Sequence, residues 1–198
     1  MIELRPFDKL GKSNHGWLNA NFHFSFAEYR DPKRVHWGAL RVWNNDRIAP
    51  NSGFPPHPHR DMEIVTYVIK GAITHQDHLG NQGRTEAGQI QVMSAGNGIQ
   101  HAEYNKENAE TELFQIWILP NKEGVPARWE TVQFPADARD GKPAYLVPAK
   151  GKIEVLGSDG KPVTANARDG VAVVDQDEIE IKAVEDAEIV LVETDKLN

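Results

Sequence analysis

The chain is written in short apolar runs of strand length. Residues 38-GALRVW-43, 63-EIVTYVI-69, 72-AITHQD-77, 89-QIQVM-93, 113-LFQIWIL-119, 171-VAVV-174, 178-EIEIK-182 and 188-EIVLVE-193 are rich in Val, Ile, Tyr, Trp and Phe. Turn-forming residues separate them: Asn44-Asn45-Asp46, Gly80-Asn81, Gly96-Asn97-Gly98, Asp159-Gly160 and Asp169-Gly170. Many short strands with such punctuation predict an all-β sandwich or barrel. Helical periodicity is weak. It is confined to short turns at 24-FSFAEY-29 and 126-PARWE-130, the second opened by a proline suited to a first helical position.

A length of 198 residues allows one large domain or two small ones. A boundary is predicted near residues 135–150, where 135-PADARDGKPAYLVPAKGK-152 is rich in Pro and Gly in polar company. It divides an N-terminal unit, 1–134, from a short C-terminal unit, 135–198. All eight histidines and all five tryptophans precede it, so metal or aromatic chemistry belongs to the first unit. Net charge is −7, which excludes a non-specific binder of the nucleic-acid backbone. The absence of cysteine excludes disulfides, thiolate metal sites and a Cys nucleophile. No run approaches ~18 apolar residues and the N-terminus has no signal-type core, so no membrane association and a cytoplasmic location are expected.

Two short motifs carry the chemistry. In 53-GFPPHPHRDMEIVTYVIKG-71, His57 and His59 are two apart, and on a strand residues i and i+2 share a face. Pro58 between them implies a strand edge or an entry loop. In 94-SAGNGIQHAEYN-105, His101 and Glu103 form a second same-face pair after a glycine-rich turn. The two pairs can meet across a small barrel, offering three imidazoles and one carboxylate. That donor set suits a mid-row divalent ion such as iron, nickel, manganese or copper. On a six-coordinate ion it leaves two positions open for substrate or dioxygen.

Over nearly all of residues 1–134 the chain resembles the pirin family of the cupin superfamily. The resemblance rests on 14-NHGWL-18, 24-FSFAEYRDP-32, 38-GALRVWNND-46, 57-HPHRDMEIVTYVIKG-71, 75-HQDHLGN-81, 93-MSAGNGIQHAEYN-105 and 115-QIWILP-120. It implies a bicupin of two facing β-sandwiches with one metal in the N-terminal barrel, bound by His57, His59, His101 and Glu103. The expected cofactor is one divalent transition metal, iron(II) first, with nickel, manganese, copper or zinc compatible. Several bacterial members resemble quercetin 2,3-dioxygenases in activity; animal members look like nuclear, iron-dependent transcriptional cofactors. The resemblance thus implies oxidative cleavage of a flavonol or similar enol by dioxygen, with Glu103 as general base. The rival expectation is an iron-dependent redox sensor that binds a protein partner.

Other residues receive plainer readings. Glu63 is expected as a hydrogen-bonded acid of the barrel wall rather than a ligand. His75 and His78 fall in a Gly-Asn hairpin turn, and His78, where the resembling family usually has serine, is expected to be solvated. His15 is expected to pack on Trp17, and His23 and His36 to be surface residues. Phe22, Phe24, Phe26, Trp37, Trp43 and Trp117 are expected mainly in the core, and Phe54 at the mouth of a substrate pocket. Gly96 and Gly98 are expected to turn the chain sharply into His101, and Asn105 to tie a turn through its side chain. The C-terminal unit has room for roughly four to six strands. An incomplete cupin-like sandwich with open edges is expected, docked on the first unit or paired in a dimer; the protein is expected as a monomer or homodimer.

Overall fold

The computed structural model describes residues 1–133, 144–176 and 178–194. Its strands, in chain order, are β1 (Ile2–Arg5), β2 (Gly11–Asn14), β3 (Leu18–Phe22), β4 (Leu40–Ile48), β5 (Ser52–His59) and β6 (Glu63–Lys70). They continue with β7 (Ala72–Asp77), β8 (Gln82–Glu86), β9 (Gln89–Ser94), β10 (Ile99–Asn105), β11 (Thr111–Ile118) and β12 (Arg128–Gln133). The last six are β13 (Ala144–Lys150), β14 (Lys152–Leu156), β15 (Pro162–Asn166), β16 (Gly170–Val173), β17 (Glu180–Ala183) and β18 (Glu188–Glu193).

The first sandwich faces a seven-stranded sheet, β12-β9-β6-β11-β4-β3-β2, with a four-stranded one, β5-β10-β7-β8. The large sheet is buried on both sides, and its period-2 alternation sorts residues between two cores. Along β11, Leu113 packs inward with Leu18, Ile48, Val68 and Ile73. Its neighbours Phe114 and Ile116 point the other way, joining Trp43, Tyr67 and Phe24. That second core also takes Tyr145, Val147, Ala149, Ala172 and Val190, so it is the seam between the two sandwiches. Arg168 and Glu112 pair across the seam at 2.6 Å.

The C-terminal unit is built from β1-β16-β13-β18 and β15-β14-β17. Six strands come from its own sequence, within the expected range. The seventh is β1, which pairs along its whole length with β16. One edge expected to lie open is therefore covered by the start of the chain. The expected boundary at 134/135 lies outside the described residues. The stretch expected to continue it is corrected from residue 144 onward: Ala144–Lys150 is β13, a buried inner strand. Its proline fits because the ladder to β18 shifts between Pro148 and Lys150.

The two helical turns are also corrected. Among the described residues the one helix is a 3-10 turn, Phe7–Lys9. Residues 24–29 form a tight turn in which Phe26 and Tyr29 exchange backbone hydrogen bonds of 3.1 and 2.9 Å. Residues 128–133 pair with β9 instead of coiling. Trp129 and Val132 lie an odd number apart and bury on opposite faces, Trp129 with Met93 and Ile99 and Val132 in the seam, which a strand supplies.

Candidate metal centre

Hairpin geometry brings the two motifs together. β5 is an edge strand paired to β10, with His101 opposite His57 and Ile99 opposite His59. Pro55, Pro56 and Pro58 face outward on this edge, where a missing N–H costs no ladder bond. His57 and His59 face inward. Ring centroids lie 4.8 Å apart for His57–His59, 4.4 Å for His57–His101 and 5.0 Å for His59–His101. Their ligand nitrogens all fall within 4.8 Å of one another. The connection into β10 turns at Gly96, whose φ is +42°. A Cβ there would sit 2.0 Å from the Val125 carbonyl oxygen, so only glycine fits.

The imidazoles carry lone pairs suited to a cation. His57 Nδ1 is 2.8 Å from the Pro55 carbonyl, which only accepts, so Nδ1 donates there and Nε2 is the nitrogen left for a ligand role. His101 Nε2 is buried without a hydrogen-bond partner. Burial, and then the neighbouring His57, lower His59 to about 4. Burial, then His57, His59 and His75, lower His101 to about 2. Neutral rings whose free nitrogens converge are costly to desolvate alone and are what a divalent ion requires. The donor set fits one transition ion.

Glu103 stands one step to the side. A register shift separates it from His101 and sets it opposite Phe54. Its carboxylate groups with His101 and His75 rather than with His57 and His59. The reason lies in the facing sheet, where Gln91, Thr66, Gln115 and Asn44 are direct cross-strand neighbours on β9, β6, β11 and β4. This polar rung crosses an otherwise apolar layer. Gln115 Nε2 donates to Glu103 Oε2 at 2.7 Å, Thr66 Oγ1 donates to Oε1 at 3.3 Å, and Gln91 Nε2 donates to Oε1. Burial nonetheless pushes the Glu103 carboxyl above the usual range, against the pull of His75 and these donors. Nearby Asp46 is pushed up to about 8 by burial and then by Glu103. No sequence motif announced the rung, and Asn44-Asn45-Asp46, expected as a turn, is corrected: it lies inside β4, paired with β11.

The centre opens into a cavity of about 390 Å³, lined by Trp17, Phe22, Phe26, Phe54 and Trp117 as well as by His57, His59, His101 and Glu103. Phe54 meets Trp17 edge-on at 5.1 Å. Of the six aromatics expected mainly in the core, Phe22, Phe26 and Trp117 thus line the cavity. His15 is exposed at its rim and bonds Ser13 Oγ at 2.9 Å. Glu63 accepts Ser94 Oγ–H at 2.5 Å. His36 and His78 are exposed, and His78 Nδ1 accepts the Gln100 N–H. Two readings are overturned. His23 is fully buried, bonded to Tyr145 Oη at 2.8 Å in the seam. His75 is no turn residue but a fully buried member of β7 beside His101. His23 lies in the bend after β3 and His75 in β7, and the elements packed over them bury both rings, which local sequence did not disclose. Asn105 behaves as expected, donating to the Ile48 and Ala109 carbonyls at 2.9 and 2.8 Å.

Two packed β-sandwiches with a histidine–carboxylate cluster inside the first define a cupin-type protein. The chain belongs to the Pirin family, whose profile matches residues 3–118, while residues 128–194 match the quercetinase C-terminal cupin domain. A Pseudomonas aeruginosa protein, provisionally named quercetin 2,3-dioxygenase, is 52% identical, with 98% of this chain and 99% of the relative covered. That alignment spans 235 positions against 198 residues here, so this chain is shorter by internal residues. The Escherichia coli K12 quercetin 2,3-dioxygenase is 38% identical over 96% of this chain and 97% of its own length. The crystal structure of the bacterial pirin YhhW from Escherichia coli in complex with nickel(II) superposes with a TM-score of 0.91 at 34% identity, each chain covered in full. Among the described residues no helix is long and apolar enough to cross a membrane.

Proposed function

We propose that this pirin is a metal-dependent dioxygenase that opens the heterocycle of a flavonol or a similar aromatic enol. His57, His59 and His101 would hold one divalent ion, iron(II) foremost, with Glu103, which shares only His101 with that group, as the fourth donor. The ion supplies a site that binds dioxygen and favours the substrate's enolate. The observation that carries the reading is the convergence of bare imidazole nitrogens at the wall of an aromatic-lined cavity. A volume of about 390 Å³ is at the small end of the range for ligand pockets and suits a flat two- or three-ring molecule.

The protein's own groups have separable tasks. Phe54, Trp17, Phe22, Phe26 and Trp117 offer faces and edges to an aromatic ligand and exclude water from it. Glu103 receives the enol proton. Its raised pKa brings it nearer to that task than a solvated carboxyl, and the Gln91 and Gln115 amides steady the oxygens. One dioxygen is consumed for each carbon monoxide released, the remaining atoms leaving as a ring-opened ester. Support comes from the relatives named as quercetin 2,3-dioxygenases. The test is anaerobic addition of quercetin to the iron-loaded protein, followed by air. A perturbed metal spectrum and then carbon monoxide are expected. An unperturbed spectrum without gas, together with a protein partner captured in one iron oxidation state alone, would instead favour redox sensing.

A further inference from the structure

β7 runs beside β10 with Asp77 opposite His101 and His75 opposite Glu103. In this register the rings of His101 and His75 meet, their Nδ1 atoms 3.3 Å apart. His75 Nε2 in turn lies 3.1 Å from Asp77 Oδ2. Asp77 is already surrounded by donors. Its Oδ1 accepts the backbone N–H groups of Leu79 and Asn81 at 2.9 and 3.0 Å, and its Oδ2 accepts Asn81 Nδ2–H at 2.8 Å. Trp129 lies flat on His75, centroids 4.7 Å apart and planes 9° from parallel, which stops the imidazole from turning. Gly83, opposite His75 on β8, makes room for that indole, since a Cβ there would sit 2.3 Å from Trp129 Cη2.

The donor count fixes the protons. Asp77 accepts from every neighbour, so His75 Nε2 carries a hydrogen and donates it. Two facing nitrogens at bonding distance share one proton. His101 Nε2 is buried with no hydrogen-bond partner and is the nitrogen left for an ion, so the shared proton sits on His101 Nδ1 and His75 Nδ1 accepts it. We propose that Asp77 and His75 are positioning residues that lock His101 in its Nδ1–H tautomer and so keep Nε2 ready for the ion. The inference rests on the reading of His101 as a metal ligand. Partners behind a ligating histidine set ring orientation and basicity, and losing one costs roughly 10–100-fold in metal affinity. Trp129 braces the carboxylate side as well: its Nε1–H donates to Gln91 Oε1 at 3.2 Å, and Gln91 donates to Glu103.

The experiment uses the full chain and nickel(II). Two-bond proton–nitrogen NMR of the metal-free wild type at pH 7 should show His101 protonated at Nδ1 and bare at Nε2. The opposite tautomer, or a doubly protonated ring, overturns the proposal. In Asp77→Asn the oxygen held by the two backbone donors remains, so the amide N–H₂ faces His75 and reverses the file of protons. His101 should then carry hydrogen on Nε2, and calorimetric nickel affinity should fall ~10–100-fold. Affinity within about twofold of wild type with an unchanged tautomer overturns the proposal. Should that variant fail to fold, the wild-type spectrum decides. A separate His101→Ala arm tests the underlying reading. Full nickel binding there refutes His101 as a ligand without altering the tautomer result, so the two failures are distinguishable.

Discussion

Phe54 stands between the cavity and the histidines, edge-on to Trp17 and 6.2 Å from the His57 ring. Truncating it removes an aromatic contact for a ligand but no metal donor. Phe54→Ala should raise the flavonol KM roughly fivefold, about 1 kcal/mol, with metal content unchanged, as steady-state kinetics and metal analysis would show. His23 tests the seam instead. Burial, and then Arg5 and Arg34, lower its pKa to about 3, so the neutral ring is the folded form. An unfolded chain takes up the proton near pH 6.5. Stability present above that pH therefore falls as pH drops from 6.5 toward 3, by about 2 kcal/mol between pH 7 and 5. His23→Gln should flatten the pH dependence of the urea midpoint by that amount; an unchanged slope would contradict the burial argument. Among single residues, the H-x-H spacing is matched by His57, His59 and His101 lying together, whereas the register shift between His101 and Glu103 was not legible in H-x-E. His23, in the bend after β3, and His75, in β7, were not legible, because a lone histidine shows its burial only when the elements packed over it are in place.

The strands taught the same lesson in reverse. Runs such as EIVTYVI and LFQIWIL were legible as strands, yet the polar residue within each said nothing by itself. Only the register makes Thr66, Gln91, Gln115 and Asn44 one rung beneath Glu103. β12 was missed because a Pro-led segment with one Trp and mixed charge has no strong period of either kind, and pairing with β9 decided it. The β9–β10 turn is the tightest local requirement. Gly96→Ala would bring a Cβ against a backbone carbonyl at a positive φ, and should cost upward of ~2 kcal/mol in the urea midpoint and lower metal content with it. A variant as stable as wild type would mean that the turn relaxes freely.

The molecule as a whole is joined by a shared core and by an exchanged strand. Trp43, Phe114 and Phe24 from the first half pack with Tyr145, Ala172 and Val190 from the second, and β1 closes the second half's sheet. That swap was illegible because Ile2–Arg5 is four residues long and its partner lies about 170 residues away. Removing residues 144–198 should therefore expose the seam and give a protein that aggregates in light scattering; a soluble, monodisperse fragment would show that the halves are independent. Metal content tests the three-histidine site most directly. Protein purified without added metal, measured by mass spectrometry alongside His57→Ala/His59→Ala, should hold one transition ion per chain in the wild type and almost none in the variant. Full occupancy in the folded double variant would contradict the claim that these imidazoles hold the ion.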